Sequence, residues 1–310
     1  NNSGVSSVSA DFSAFGGGAA VTASNSSDTW TATYTITSGA IDSTNLNVSV
    51  TATNSGGSTT TADTSNASVD NIAPSVTDGN ISISGGNGSG GAFIVGDTVT
   101  ATWNDTAGGN NNSDTISTVT VDFSQFVGGS AVAASNSSDT WTATYAITPG
   151  SLQASNLNVS FTATDNAGNT TTTADTSNAS VDNQAPSGHS VAFGDSLFNA
   201  SEASAGNFSF AGAEVGASYN YSISSSGGGS NVTGSGTLSS ATQNVSGINL
   251  GGLGDGTLTL NVLVTDAAGN ISAAVGDSSS LDATAPALNS STPADEAGNV
   301  QYDADLVLQL

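Results

Sequence analysis

Short stretches in which apolar residues alternate with threonine or serine recur along the whole chain. Val99, Ala101 and Trp103 alternate with threonines, and the same pattern recurs at 119–123, 141–145 and 157–161. Alternation with a period of two residues is typical of strands with one buried face and one exposed face. Turns rich in Gly, Asn and Ser separate the stretches, and no window has the 3.6-residue period of a helix. The pattern predicts an all-β protein.

The sequence also repeats itself over a longer distance. The segment Ala23–Thr31 recurs letter for letter at Ala134–Thr142, and residues 61–71 recur at 173–183. The distance along the sequence between a segment and its copy matches the size of an immunoglobulin-like β-sandwich, about 100 residues. We therefore predict tandem immunoglobulin-like Greek-key β-sandwiches, arranged as beads on an extended rod.

The repeats and the proline-marked junctions predict four segments. Residues 1–74 form an immunoglobulin-like domain whose N-terminal strands are missing, and 75–186 form a complete one. Residues 187–286 form a diverged domain, and 287–310 supply the first strand or strands of a further domain. The sequence begins without a methionine or a basic-then-apolar leader, which is typical of a segment of a longer or processed protein.

Charge in this chain has only one sign. The 310 residues include 25 Asp and Glu, one His, and neither Lys nor Arg. Nothing can therefore neutralise the phosphates of a nucleic acid or bind an anionic membrane surface. The sequence contains no run of about 18 apolar residues, the length that would predict a membrane-spanning segment. No constellation of acid, base and nucleophile indicates an enzyme.

Three other residues have simple interpretations. His189, the only imidazole, is expected at the surface without a function, because no nucleophile and orienting acid accompany it. Trp30 and Trp141 occupy equivalent places in two repeats, on alternating strands. Core packing is therefore expected for both, which disfavours a carbohydrate-binding module with exposed aromatic rings.

Asp and Asn concentrate at the predicted junctions. A turn with Asp at its start and Asn at its end precedes the last strands of the second and third repeats, and each last strand ends in Asp. We expect turn and linker to lie at the same, C-terminal end of each sandwich, so that their oxygens converge. Calcium takes six to eight oxygen ligands, and zinc ligands are missing. The predicted interdomain calcium ligands are Asp165, Asn169, Asp182, Asn183, Asp266, Asn270, Asp282 and Asp70.

An alternative interpretation is that the turn sequence is only a turn, since Asp, Gly and Asn are the residues that tight turns favour. The Asp at every linker, with no basic side chain to offset it, favours calcium instead. At the first junction Asn54 stands in place of Asp165, so weaker binding or none is expected there.

The boundary sequences, Thr164 to Asn169 and Val181 to Pro186 with their copies, resemble the bacterial immunoglobulin-like repeats of large surface adhesins. Those proteins are exported by type I secretion (the RTX-adhesin type) and act in attachment and biofilm formation. The resemblance covers essentially the whole chain. It implies an extracellular location at a bacterial cell surface and calcium between modules, which supports Asp165, Asp182, Asp266 and Asp282 in particular. It implies two kinds of partner: neighbouring immunoglobulin-like domains of the same or an adjacent chain, and a host or matrix surface contacted by regions outside these residues.

Together these features predict a structural, non-enzymatic segment of a bacterial adhesin, in which calcium rigidifies a tandem rod that presents an adhesive tip. The alternative is a subunit of an extracellular filament or surface layer. In that case a strand of one subunit would complete the open domain of the next.

Overall fold

The computed structural model describes residues 4–287, and strands account for nearly all of their regular structure. No α-helix occurs among them, so none could cross a membrane; the only helical elements are single 3₁₀ turns at Ser13–Phe15, Asp78–Asn80, Ser89–Gly91 and Ser124–Phe126. The all-β prediction is confirmed. The chain divides into two compact units, Asn1–Asn183 and Gln184–Leu310, and each is described by itself. The further domain predicted at 287–310 lies, except for residue 287, outside the described residues.

The first unit begins with a repeat that ends near Pro74. Its strands are β1 Ser7–Asp11, β2 Val21–Thr22, β3 Ser24–Ser26, β4 Thr29–Thr31, β5 Asp42–Leu46, β6 Ser49–Asn54, β7 Gly57–Ala62 and β8 Ala67–Asp70. One four-stranded sheet has the order β2-β1-β6-β7, while β3-β4 and β5-β8 form separate pairs.

The second repeat, up to Asn183, completes the first unit. Its strands are β9 Ile81–Ser84, β10 Thr98–Asn104, β11 Ile116–Asp122, β12 Val132–Ala133, β13 Ser135–Ser137, β14 Thr140–Ala146, β15 Gln153–Leu157, β16 Ser160–Asp165, β17 Thr170–Ala174 and β18 Ala179–Asp182. Two four-stranded sheets, β13-β14-β10-β9 and β12-β11-β16-β17, form a sandwich, and β15 pairs with β18.

The core of the second repeat follows from the alternation in its sequence. β10 and β14 pair antiparallel with Trp103 opposite Trp141 and Ala101 opposite Ala143. Their apolar side chains point inward, where Trp103 and Phe161 of β16 are fully buried. Burying a large apolar side chain contributes about 1.5–3 kcal/mol. The threonines between these residues line the outer faces, as the pattern predicts.

The described part of the second unit is a third sandwich. Its strands are β19 Ser190–Phe193, β20 Leu197–Asn199, β21 Gly206–Ala211, β22 Ser218–Ser225, β23 Val232–Thr237, β24 Asn244–Ile248, β25 Gly256–Thr265 and β26 Val275–Asp282. A sheet of order β19-β21-β24 faces one of order β20-β26-β25-β22-β23, in which β20 runs parallel to β26. Side chains from both sheets form one buried apolar cluster.

His189 is buried, contrary to the surface position expected from the sequence. Its side chain is 8% exposed, and its enclosed Nε2 has no hydrogen-bond partner in the described structure. The residue leads directly into β19, whose Val191 also faces the interior. Burial lowers the pKa of the imidazole, because the charged form loses its hydration.

Asp97 organises the loop between β9 and β10 without any basic partner. Its Oδ2 accepts the backbone N–H groups of Asn87 and Ile94 at 2.9 and 3.0 Å, and its Oδ1 accepts the side-chain amide of Asn87 at 2.7 Å. Burial alone would raise the pKa of this carboxyl group, but the hydrogen bonds outweigh it, and the net pKa is lowered. Ionised Asp97 is therefore part of the folded loop.

We predict that Asp97→Asn lowers the free energy of unfolding by about 1.5–3 kcal/mol, because the new amide directs N–H groups toward existing donors. Since folding lowers the pKa of Asp97, the stabilisation is present above about pH 4, the ordinary carboxyl value, and is lost as the pH falls further. Urea unfolding at pH 7 and at pH 3 measures both effects. A variant as stable as the parent chain at pH 7 would contradict this role.

For His189 we predict a loss of stability on mild acidification. The unfolded chain binds a proton near the ordinary pKa of 6.5, whereas the folded chain binds it only at lower pH, so stability falls as the pH drops below about 6.5. His189→Phe should flatten this dependence between pH 7 and 5.5, where no other side chain of ordinary pKa titrates. Urea unfolding across that interval checks it, and equal slopes for the two chains would refute it.

Candidate metal centre

Three carboxylates from two successive repeats meet at one place in the first unit. Asp70 ends β8 of the first repeat, Asp114 precedes β11 of the second, and Asp165 ends β16. One oxygen of each lies within 4.8 Å of the others. Calcium binds oxygens at about 2.3–2.6 Å, so one ion between these groups could contact all three. We call Asp70, Asp114 and Asp165 the carboxylate cluster.

Asp165 is fixed by the turn that it begins. Its Oδ1 accepts the backbone N–H groups of Ala167, Gly168 and Asn169 at 2.9, 2.8 and 2.9 Å. Gly168 has a φ of +96°, a conformation that favours glycine. Asp165 therefore does form the turn, as the alternative interpretation of the sequence expected. It occupies Oδ1, while Oδ2 accepts the side-chain amide of Asn169 at 3.0 Å.

Asn169 also connects the two repeats. Its Nδ2 lies 3.3 Å from the backbone oxygen of Asp70 and 3.3 Å from Asp70 Oδ1. One amide thus donates to carboxylates of both repeats. These contacts place Asn169, the last residue of the turn, beside Asp70, the last residue of β8 in the preceding repeat.

The linker after Asp70 is attached to the loop that carries Asp114. Asn112 accepts the N–H of Ser75 at 2.7 Å and donates to the Ser75 carbonyl at 2.9 Å. Asn110 accepts the N–H of Thr77 at 3.1 Å. These contacts keep the chain between the repeats close to the carboxylate cluster.

The electrostatic environment of the cluster favours a bound cation. Burial would raise the pKa of Asp165, but hydrogen bonds from Asn169 and the turn lower it overall, so this group stays ionised. Burial and the negative charges of Asp70, Asp42 and Asp165 raise the pKa of Asp114. Because the chain contains neither Lys nor Arg, no basic side chain can offset this concentration of charge.

The residues present fit a hard divalent cation. Three carboxylates supply three to five oxygens, since Oδ1 of Asp165 already accepts three N–H groups. The Asp70 carbonyl lies beside them, and nitrogen and sulfur ligands are absent from the cluster. Calcium accepts such an irregular set of oxygens and completes it with water, whereas magnesium requires near-octahedral geometry. The ligand set therefore suits calcium better than magnesium or zinc.

The structure corrects the expected grouping of ligands. β16 pairs with β17 and β15 with β18, so the second repeat ends in one long hairpin. Its turn carries Asp165 and Asn169, while Asp182 lies opposite Gln153 at the far end. The expectation that Asp165 and Asp182 converge is wrong. Asp165 instead meets Asp70, the counterpart of Asp182 in the preceding repeat.

The same correction applies to the first junction, where weak binding was expected because of Asn54. Asn54 begins the turn between β6 and β7, while Asp70 pairs with Asp42 at the other end of that hairpin. The junction after Asp70 therefore receives its turn carboxylate from Asp165. The identity of residue 54 has no bearing on this site.

The side chain of Asn183 fixes a loop of its own repeat, and its role as a calcium ligand stays a prediction. Its side chain is 6% exposed, and its Oδ1 accepts the N–H of Leu152 at 2.7 Å while its Nδ2 donates to the Thr148 carbonyl at 2.9 Å. Asn71 makes the equivalent bonds to Ile41 and Thr37 in the first repeat. Both amides fix a loop of their own repeat and lie outside the carboxylate cluster.

In the third repeat, Asp266 and Asn270 reproduce the turn. Asp266 Oδ1 accepts the N–H groups of Gly269 and Asn270 at 2.7 and 2.8 Å, and its Oδ2 accepts the Asn270 amide at 2.9 Å. Asp282 ends β26 next to Leu281, which pairs with Gly256 at the opposite end of that hairpin from the turn. Asp266 and Asp282 thus do not converge. Metal binding by Asp182, Asp266, Asn270 and Asp282 stays a prediction.

Asp114 was missed by the sequence reasoning. It follows a run of Asn and Ser without any local motif, and its counterpart in the first repeat is a serine. The available signal was topological: β11 pairs antiparallel with β16, with Ile116 opposite Asp165. The residue just before β11 must therefore lie at the same end of the sandwich as the turn.

No protein-family model matches the sequence, and no curated protein is similar to it. Solved structures with a similar fold include a tetra-tandem repeat from the extending region of a large adhesion protein, with 21% identity and a TM-score of 0.33, covering 90% of this chain and 66% of that one. A structure concerned with host cell surface retention of a 1.5-MDa bacterial ice-binding adhesin has 20% identity and a TM-score of 0.35, covering 77% and 74%. Fibronectin(III)-like modules of Clostridium thermocellum CbhA have 12% identity and a TM-score of 0.32, covering 66% and 93%. At these values the likeness concerns the β-sandwich fold.

Proposed function

We propose that this chain is an extension segment of a bacterial surface adhesin, in which calcium stiffens the connection between tandem immunoglobulin-like domains. The observation that carries the proposal is the carboxylate cluster, because Asp70 belongs to one repeat and Asp114 and Asp165 to the next. An ion bound there would contact both repeats. The role of the segment is mechanical: it keeps an adhesive region at a distance from the cell surface.

Calcium supplies the positive charge that the cluster lacks. Without it, Asp42, Asp70, Asp114 and Asp165 repel one another, as the raised pKa of Asp114 indicates. The Asn169 amide and the Asn110 and Asn112 contacts to the linker remain in place and position Asp70. Binding therefore requires little rearrangement, and the ion converts repulsion between the repeats into attraction.

Composition supports an extracellular mechanical role. The outer faces of the sandwiches carry threonine and serine in place of charged residues, and the chain offers no Lys or Arg to trypsin-like proteases. Repetition of one module lengthens a protein without requiring a new fold. These features, and the resemblance of the boundary sequences to adhesin repeats, favour an extension segment over an enzyme or a carbohydrate-binding module.

We predict that saturating calcium raises the melting temperature of the first unit. At a free concentration of about 100 times Kd the gain is about 2.7 kcal/mol, or roughly 5–10 °C for a unit of this size. Asp114→Asn should reduce this rise by more than half. In chelator it should leave the melting temperature unchanged or raise it, because Asp114 repels its neighbours. Calorimetry of the full chain in calcium and in chelator measures both effects.

The matched control is Asp28→Asn, which removes the same charge from the turn between β3 and β4. Asp28 has a φ of +61°, which Asn tolerates well, so this variant should keep the full response to calcium. An Asp114→Asn chain with an undiminished calcium response, or equal melting curves of the parent chain in calcium and chelator, would contradict the calcium site.

The mechanical role makes a separate prediction about shape in solution. We expect the 310-residue chain to be monomeric and to have a larger radius of gyration in calcium than in chelator, since unrestrained junctions let neighbouring domains fold back. Small-angle X-ray scattering measures this directly. Superimposable profiles would leave calcium binding possible but refute stiffening, and concentration-dependent polymers would favour the filament alternative.

A further inference from the structure

The loop between β9 and β10 of the second repeat contains the only Asn-Gly pair of the sequence, Asn87–Gly88. Asparagine is most prone to deamidation when glycine follows it, because a residue without Cβ lets its backbone nitrogen approach the preceding side-chain carbonyl carbon. Asn87 is exposed, so water reaches it. The sequence thus places the most reactive asparagine of the chain in a surface loop.

Deamidation begins when the Gly88 nitrogen loses its proton to the solvent and attacks Cγ of Asn87. A bond forms between these two atoms and the bond from Cγ to Nδ2 breaks, so that the amide nitrogen leaves as ammonia. Water then opens the cyclic imide at one of its two carbonyls, which leaves aspartate or isoaspartate at position 87. Water is the only co-reactant, and nothing is oxidised or reduced.

The folded loop keeps both reacting groups from this reaction. The Gly88 N–H donates to the Ala92 carbonyl at 2.9 Å, so this nitrogen keeps its proton. Nδ2 of Asn87 donates to Asp97 Oδ1 at 2.7 Å and to the Gly85 carbonyl at 3.2 Å, which fixes the orientation of the amide. Formation of the imide breaks all three hydrogen bonds and therefore requires the loop to open first.

Asp97 is the residue that keeps the loop closed. Its Oδ2 accepts the backbone N–H groups of Asn87 and Ile94, from the two ends of the loop. The two sides of the loop are also in contact, since a Cβ on Gly86 would overlap the Gly91 carbonyl oxygen. The probability of opening, and with it the rate at which Asn87 reacts, is therefore set largely by the Asp97 carboxylate.

The same loop joins the core of the second repeat to its last strand. Phe93 is 3% exposed, and its ring lies 6.0 Å from that of Phe126. Its N–H donates to the Ser180 carbonyl at 2.8 Å, and its own carbonyl accepts the N–H of Asp182 at 2.9 Å. Opening of the loop therefore weakens the contact between Phe93 and β18.

We propose that Asn87 is a site of spontaneous deamidation and that Asp97 controls its rate. The product carboxylate faces Asp97 in place of the amide that donated to it, and the chain has no Lys or Arg to neutralise the pair. The two carboxylates repel, so the loop does not close again as before. Because the reaction is irreversible, the modification accumulates with the age of the molecule and progressively loosens the end of the repeat that carries β18.

The test incubates the folded full chain at mildly alkaline pH and measures deamidation at each asparagine by chymotryptic digestion and mass spectrometry. Asn87 should react slower than in the chain unfolded in urea, by about 10-fold or more. Asp97→Asn should accelerate the reaction in the folded chain by about 10- to 100-fold. The matched control, Asp139→Asn, removes the same charge from a turn where φ is +59°, which Asn tolerates, and should leave the rate unchanged.

Two further variants separate the chemistry from its effect on the fold. Gly88 has an extended conformation, with φ of −73° and ψ of 177°, which alanine also adopts. Gly88→Ala should therefore fold normally and slow deamidation of Asn87 in urea by about 10-fold or more. Asn87→Asp reproduces the product carboxylate and should speed amide hydrogen exchange at Phe93 and Asp182 at pH 7, where both facing carboxylates are ionised.

Each measurement can contradict the proposal. Equal rates at Asn87 in the folded and the unfolded chain, or in the parent chain and Asp97→Asn, would overturn the control by Asp97. Absence of conversion at Asn87 in urea would overturn the modification site itself. An Asn87→Asp chain with the exchange rates of the parent chain would overturn the loosening of the loop by charge repulsion.

Discussion

The absence of lysine and arginine dictates how every carboxylate in this fold is accommodated. An acidic side chain must be hydrated, accept hydrogen bonds from the chain, or share a cation from solution. Buried Asp97 and Asp165 take the second route, with three and four donors from nearby amides. Asp255 does the same at lower burial, accepting the N–H groups of Ala283 and Thr284. Asp70 accepts the N–H of Ile72 and the amide of Asn169, and both Asp70 and Asp114 are only partly buried, so water and, in our proposal, a cation supply the rest of the compensation.

The position of that site follows from the strand connections. The second repeat ends in two long segments, the first containing β15 and β16 and the second containing β17 and β18. They run antiparallel to each other, with β16 paired to β17 and β15 paired to β18. A single hairpin therefore runs from one end of the sandwich to the other. Its turn faces the preceding repeat, and its terminal Asp182 lies at the other end. The preceding repeat has the same hairpin, so its terminal Asp70 reaches the next turn.

Sequence alone was sufficient for the strands, the repeats and most of the core. Alternation identified the buried faces that contain Trp103 and Phe161, and letter-for-letter repetition identified equivalent positions. Alternation shows which face a residue occupies, but it does not show at which end of a sandwich a strand finishes. That gap produced the wrong grouping of Asp165 with Asp182. Asp114 and the burial of His189 depended on long-range contacts that leave no local pattern.

The two repeats of the first unit contribute unequally to the junction. The earlier repeat provides a single carboxylate from its end, and the later repeat provides two carboxylates and an amide. The proposed ligands therefore come from both sides of the boundary between two repeats, and the contributions of the two sides are not interchangeable. Duplication of the second repeat would place Asp182 of one copy next to the counterparts of Asp114 and Asp165 in the next copy and regenerate the site, whereas duplication of the first repeat would not, because Asn54 and a serine replace Asp165 and Asp114 there. Evolution can thus change the length of such a protein by unequal recombination between repeats without redesigning the connection.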